Sequence, residues 1–228
     1  MNVKNILSDL DLAALLASRV CHDVIGPVGA IVNGLEVLEE DTDEEMREIA
    51  MELVKKSAES ASVKLKFSRL AFGAAGSAGM EIDLSEAGEL STEFATSPRV
   101  TLEWNCPHQT RPKDQVKLLM NMVLIGITTI PRGGVIKVMA TEDRENPHYE
   151  VRCSGRGAKF PENVGVLLRA EMDSEEIDAR GVQVYYTGLI ARLTGLELST
   201  QIEDEDAVFT ARKHLQKLKI VPVGTPTA

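Results

Sequence analysis

Residues 9–38 read DLDLAALLASRVCHDVIGPVGAIVNGLEVL and place Leu10, Ala13, Ala14, Ala17, Val20, Cys21, Val24, Val28, Ile31, Leu35 and Leu38 at intervals of three and four. That spacing predicts one apolar stripe along a helix of about eight turns. The acidic, turn-prone run Glu39-Glu40-Asp41-Thr42-Asp43 interrupts it, and Thr42 or Asp43 can cap the next helix. That second helix is predicted from Glu44 to Phe72, its stripe running through Met46, Ile49, Ala50, Leu53, Val54, Ser57, Ala61, Leu65, Ser68 and Leu70. The chain therefore opens with a long helical hairpin.

Gly73-Ala74-Ala75-Gly76-Ser77-Ala78-Gly79 comes next as a small-residue linker. Beyond Met80 the pattern mixes periods. Helices are predicted at Leu84–Ala95, Lys113–Ile130 and Gly181–Leu193, and strands at Arg99–Trp104, Val135–Ala140 and Tyr149–Cys153. Leu196–Ile202 and Ala207–Ala211 form a hairpin across Glu203–Asp206. Helices and strands without strict alternation indicate an α+β sandwich, with helices on one face of a mixed sheet. The division expected is a hairpin over 1–73, a linker over 74–79, a second domain over 80–214 and a tail over 215–228.

Two long apolar stripes cannot be hidden by one hairpin. Two copies pairing into a four-helix bundle would cover them, which predicts a homodimer. The linker points to loose coupling, and so favours that solution over packing of the hairpin on its own second domain.

Composition narrows the function. The 228 residues carry a net charge of −10, which opposes nucleic-acid binding, because Lys and Arg must neutralise phosphates there. One Trp, three Tyr and five Phe give no stacking platform. Cys21, Cys106 and Cys153 are far apart and odd in number, which suits a reducing cytoplasm and neither a disulfide framework nor a zinc site. No segment reaches the roughly 18 uninterrupted apolar residues of a membrane span. Proteins are the expected partners.

One histidine breaks the pattern of the first helix. At ~100° per residue, with Ala17 and Leu35 as the centre of the stripe, His22 projects ~140° away, onto the outer surface. Ser18, Arg19, Gly26, Gly29 and Asn33 share that side. Glycines inside a helix each cost about 1 kcal/mol relative to alanine, but they offer a low surface against which another protein can press. Pro27 lacks the N–H that the Asp23 carbonyl needs, which predicts a bend after the histidine. A neutral imidazole is a good nucleophile at cell pH and can hold a group covalently between two transfers. Asp23 stands where it can take a hydrogen bond from one ring nitrogen and leave the other to attack, and Arg19 where it can contact phosphoryl oxygens.

The segment Cys21-His22-Asp23-Val24-Ile25-Gly26-Pro27 resembles the phosphoacceptor box of sensor histidine kinases, and Gln115–Gly134 resembles their asparagine-box helix and the turn after it. Against that pattern the magnesium-binding Asn falls on Ile125 and a phosphate-contacting basic residue on Thr128. Ser154-Gly155-Arg156-Gly157 is similar to the first glycine box, but Cys153 replaces the Asp that reads adenine. Arg180–Val184 stands where a second glycine-rich loop would be, with Gln183 in place of a glycine. A phosphoacceptor hairpin joined to a degenerate kinase-like domain resembles the ChpT-type histidine phosphotransferases of alphaproteobacteria.

The resemblance implies a cytoplasmic phosphorelay intermediate that takes a phosphoryl group on His22 from a receiver aspartate and hands it to another receiver, without binding ATP. It implies no cofactor of its own, with Mg²⁺ supplied by the receiver. The implied partners are the receiver of a CckA-type hybrid histidine kinase and response regulators of the CtrA and CpdR types. The docking surface would include Ser18, Ile25, Gly26, Gly29, Val32 and Asn33, together with part of the second domain. The rival readings are a sensor-less, ATP-dependent histidine kinase and a non-catalytic dimeric adaptor. His108, His148 and His214 read as solvated surface residues.

Overall fold

The computed structural model describes residues 7–40, 43–73, 80–169, 177–178 and 181–213. The predicted linker at 74–79, His214 with the tail after it, Arg180 and Thr42 lie outside these residues.

Helix α1 (Asp9–Glu39) starts at Ser8, whose hydroxyl accepts from the amide of Asp11 at 3.1 Å. Helix α2 (Glu44–Ala71) starts at Asp43, whose Oδ1 accepts from the amide of Met46 at 2.9 Å. Both helices carry acidic residues in the first turn, which suits the positive end of the helix dipole. α1 runs unbroken through Pro27.

The seam between the two helices is built from small residues. Gly34, Ala50, Ser57 and Ala61 are buried, and a Cβ on Gly34 would stand 2.7 Å from Val54 Cγ2 and 3.2 Å from the Ala50 carbonyl. Many of the large apolar side chains stay exposed beside it. As expected from the sequence, one hairpin does not hide its apolar stripes. Leu10, Ala13, Ala14, Ala17, Cys21, Val28 and Leu35 are exposed or half-buried in the single chain, Leu10 exposed to 80%. Met46, Ile49, Leu53 and Leu65 of α2 are exposed as well, Ile49 to 57%. By length and composition α1 is also apolar enough to cross a membrane; in this structure it lies along α2.

The remainder comprises β1 (Glu81–Asp83), α3 (Leu84–Ala95), β2 (Val100–Asn105), β3 (Thr110–Pro112), α4 (Lys113–Thr129), β4 (Gly134–Ala140), β5 (His148–Ser154), α5 (Val164–Leu168), α6 (Gly181–Thr194), β6 (Leu196–Glu203) and β7 (Asp206–Lys213). Five strands form a mixed sheet in the order β2-β4-β5-β7-β6, in which β2 and β4 are parallel and the other pairs antiparallel. Alternate residues face the helices: Ile136 and Val138, Tyr149, Val151 and Cys153, and Ala207, Phe209 and Ala211 are all buried. The opposite face is charged, with Lys137 3.4 Å from Glu103 and Arg152 3.2 Å from Glu150 and 2.6 Å from Glu203. β1 and β3 pair separately.

The expected loose coupling is not what the structure has. The C-terminal end of α2 enters the second core: Phe67 and Ala71 are fully buried there, and the Phe67 ring stacks on Phe94 with centroids 4.1 Å apart. Phe72 approaches Tyr186 of α6 at 5.9 Å. Apolar burial continuous across the linker outweighs the freedom its glycines allow.

Candidate phosphotransfer site

His22 lies midway along α1 with 83% of its side chain exposed. Its Nδ1 is 3.4 Å from Asp23 Oδ1. The other carboxylate oxygen, Oδ2, accepts from Arg19 Nε at 3.1 Å, one turn back on the helix. This chain of contacts orients the imidazole. With Nδ1–H turned to the carboxylate, the lone pair on Nε2 is left toward solvent. The geometry brings His22, Asp23 and Arg19 together, but Arg19 is engaged by Asp23 rather than pointing at an empty anion position.

The neighbours on this side are open. Ser18, Ile25, Gly26, Gly29, Val32 and Asn33 are all exposed. A Cβ built on Gly26 or Gly29 meets nothing within 4 Å beyond its chain neighbours, so no element packed on α1 calls for glycine at either position.

Ser18, Arg19, His22 and Asp23 form one wall of a cleft of about 770 Å³. The second domain supplies the other: Thr128 at the end of α4, Pro161, Glu162, Asn163 and Leu167 around α5, Asp178, and Gly181, Gln183 and Val184 at the start of α6. Sequence reading missed most of this wall. α5 has five residues and no amphipathic signal, and nothing in its spacing reveals that it faces a histidine more than a hundred residues earlier.

Residues 74–206 match the model of the histidine phosphotransferase C-terminal domain family. Protein phosphotransferase ChpT of Brucella abortus (strain 2308) is 44% identical over 211 residues, covering 92% of this chain and all of that protein. The chain belongs to the histidine phosphotransferase family. A bacterial phosphotransferase solved at 1.7 Å resembles it in three dimensions, with a TM-score of 0.81 and 43% identity over 90% of this chain and 97% of that one. The hairpin and the sheet domain are thus those of a phosphotransferase, and the enzyme is a transferase.

In this phosphotransferase the positions set against a kinase nucleotide site are occupied otherwise. Ile125 is fully buried in the core. Thr128 Oγ1 donates to the carbonyl of Ile125 at 2.7 Å. Cys153 is buried, and loss of solvent pushes its thiol up to about 11. Gln183 is buried, with Nε2 donating to the main-chain carbonyl of Asn121 at 2.9 Å. The cleft's lining carries the carboxylates of Asp23, Glu162 and Asp178 and the guanidinium of Arg19. His108 shares a 2.9 Å hydrogen bond with Ser85 at the surface, and His148 opens β5, half-buried.

Proposed function

We propose that His22 is the phosphoacceptor of a phosphorelay. A receiver carrying an aspartyl phosphate docks on the outer face of α1 and against the cleft wall. Nε2 of His22 attacks phosphorus in line; the P–N bond forms as the P–O bond to the receiver aspartate breaks, and that carboxylate leaves. A second receiver's aspartate reverses the step. Asp23 holds the Nδ1 proton and so fixes the attacking nitrogen, while Arg19 holds Asp23. Mg²⁺ in this reading comes with the receiver and neutralises phosphoryl oxygens; catalysis is otherwise positioning. The observation that carries the proposal is an imidazole 83% exposed, oriented by its neighbouring carboxylate and set in a cleft.

No ATP is used in this relay. That is supported by the buried Ile125, the protonated thiol of Cys153 and the Gln183 amide spent on Asn121, none of which offers what a magnesium nucleotide requires. The protein acts as a homodimer in the cytoplasm, which would cover the exposed Leu10, Val28, Leu35, Ile49 and Leu53. Receivers of the CckA-type hybrid kinase and of CtrA- and CpdR-type regulators are its partners. The test is transfer of labelled phosphate from a phosphorylated receiver: His22→Ala abolishes it and leaves the fold and the dimer unchanged.

A further inference from the structure

Asn121 stands where three helices meet. It is the one polar side chain in the run Leu118–Ile125 of α4, and it is fully buried. Its Nδ2 donates to the carbonyl of Ala71, the last residue of α2, at 3.0 Å, and to that of Lys117 at 2.9 Å. Carbonyls in the last turn of a helix have no donor inside it, so Asn121 supplies the one that Ala71 lacks. Gln183, in the first turn of α6, answers from the other side. Its Nε2 donates to the Asn121 carbonyl at 2.9 Å and lies 3.4 Å from Asn121 Oδ1 and 3.3 Å from Thr187 Oγ1.

Around this node the packing is mainly apolar, Phe67 on Phe94 and Phe72 beside Tyr186; a further directional contact there is long, the Tyr186 hydroxyl donating to the Phe72 carbonyl at 3.5 Å. Apolar contact holds surfaces together without fixing their angle, whereas hydrogen bonds weaken steeply off their axis. The directional contacts here join the end of the hairpin that carries His22 to the helix turn that walls the cleft opposite it. We infer that Asn121 is a positioning residue for phosphotransfer: it fixes the second domain at the angle from which a docked receiver meets the His22 face and the α6 wall together. The inference rests on the function proposed above. It assigns to Asn121 no contact with the phosphoryl group.

The test uses the full chain and two phosphate sources. Asn121→Leu keeps the volume and removes the donor to Ala71; Asn121→Asp keeps the shape and the acceptor. Each is compared with the unaltered protein in two reactions. One is phosphorylation of His22 by potassium phosphoramidate, in which ammonia leaves as the P–N bond to His22 forms. The other is transfer from a phosphorylated receiver over a range of concentrations. The expected result is an unchanged phosphoramidate rate, a cooperative melt, and a loss of about ten-fold or more in receiver-dependent kcat/KM, carried mainly by KM. Receiver-dependent kcat/KM within about two-fold of the unaltered protein, or equal slowing with both donors, overturns the inference. So does failure of both variants to melt cooperatively, which would make Asn121 a stability residue. An unaltered protein that accepts no phosphate on His22 from a receiver would strike the proposed function instead.

Discussion

Nδ1 of His22 lies 3.4 Å from Oδ1 of Asp23, the next residue along the same helix. The contact is long for a hydrogen bond, and it shortens if the ring gains positive charge as the P–N bond forms. Asp23→Ala is therefore expected to slow single-turnover transfer from a phosphorylated receiver by on the order of ten- to a hundred-fold. Asp23→Asn, which keeps an acceptor at the same place, should lose less. Circular dichroism should find both variants as helical as the parent.

Three glycines of α1 separate stability from docking. Beyond their chain neighbours, Gly26 and Gly29 have open space where a Cβ would stand, whereas Gly34 faces Val54 at 2.7 Å. Alanine at Gly29 should raise stability by about 1 kcal/mol through helix propensity alone, whereas at Gly26 the ring of the next residue, Pro27, crowds a Cβ and the gain should be smaller or absent. Alanine at Gly34 should lower stability, since overpacking of about 1–3 kcal/mol exceeds that gain. Denaturant titration checks both signs. If receivers press on the His22 face, the stabilised Gly29→Ala protein transfers phosphate more slowly than its parent.

Leu35 and Ile49 stand exposed on the two helices of the hairpin. Replacing both with glutamate would place charge in the bundle proposed for the dimer, and sedimentation should show a monomer with unchanged helix content. A parent protein that sediments as a monomer before any substitution would contradict the proposed dimer.

Thiol chemistry and alkaline stability are set by burial. Loss of solvent pushes Cys106 and Tyr149 up to about 12 and Cys153 up to about 11, from ordinary values of 9.0 for the thiols and 10.0 for the phenol. In each the folded state holds its proton more tightly than the unfolded one. The stabilisation is complete below pH 9 and is lost as pH rises toward 11 and 12. Urea midpoints should fall across that window. At pH 8 a thiol reagent should modify the exposed Cys21 well before the other two.

Much of the fold could be read from local signals. Ser8 and Asp43 cap the two long helices, and both predicted helices end within a residue of the observed ones, at Glu39 and Ala71. The turn of the final hairpin falls on Asp204 and Glu205, both at positive φ, inside the predicted break. What escaped depends on partners distant in sequence. β1 and β3 have three residues each, too few to show an alternation. Periodicity gave α1 one stripe where the molecule uses two faces, a tight seam of small residues and a larger apolar face beside it. Seam residues such as Gly34 and Ser57 carry little hydrophobic signal. The imidazole's outward direction was legible because it needed helical geometry alone. The opposite wall of the cleft was not, and neither was the bond from Asn121 to Ala71, which spans fifty residues and a linker.

The geometry at His22 makes a claim about one atom: Nε2, and not Nδ1, takes the phosphoryl group. Phosphorus–nitrogen correlation NMR of the protein, after transfer from a phosphorylated receiver, distinguishes the two isomers of phosphohistidine. The account predicts a single acid-labile species, phosphorylated at Nε2 of His22. Phosphate on Nδ1, on another residue, or absent after exposure to the receiver would contradict it.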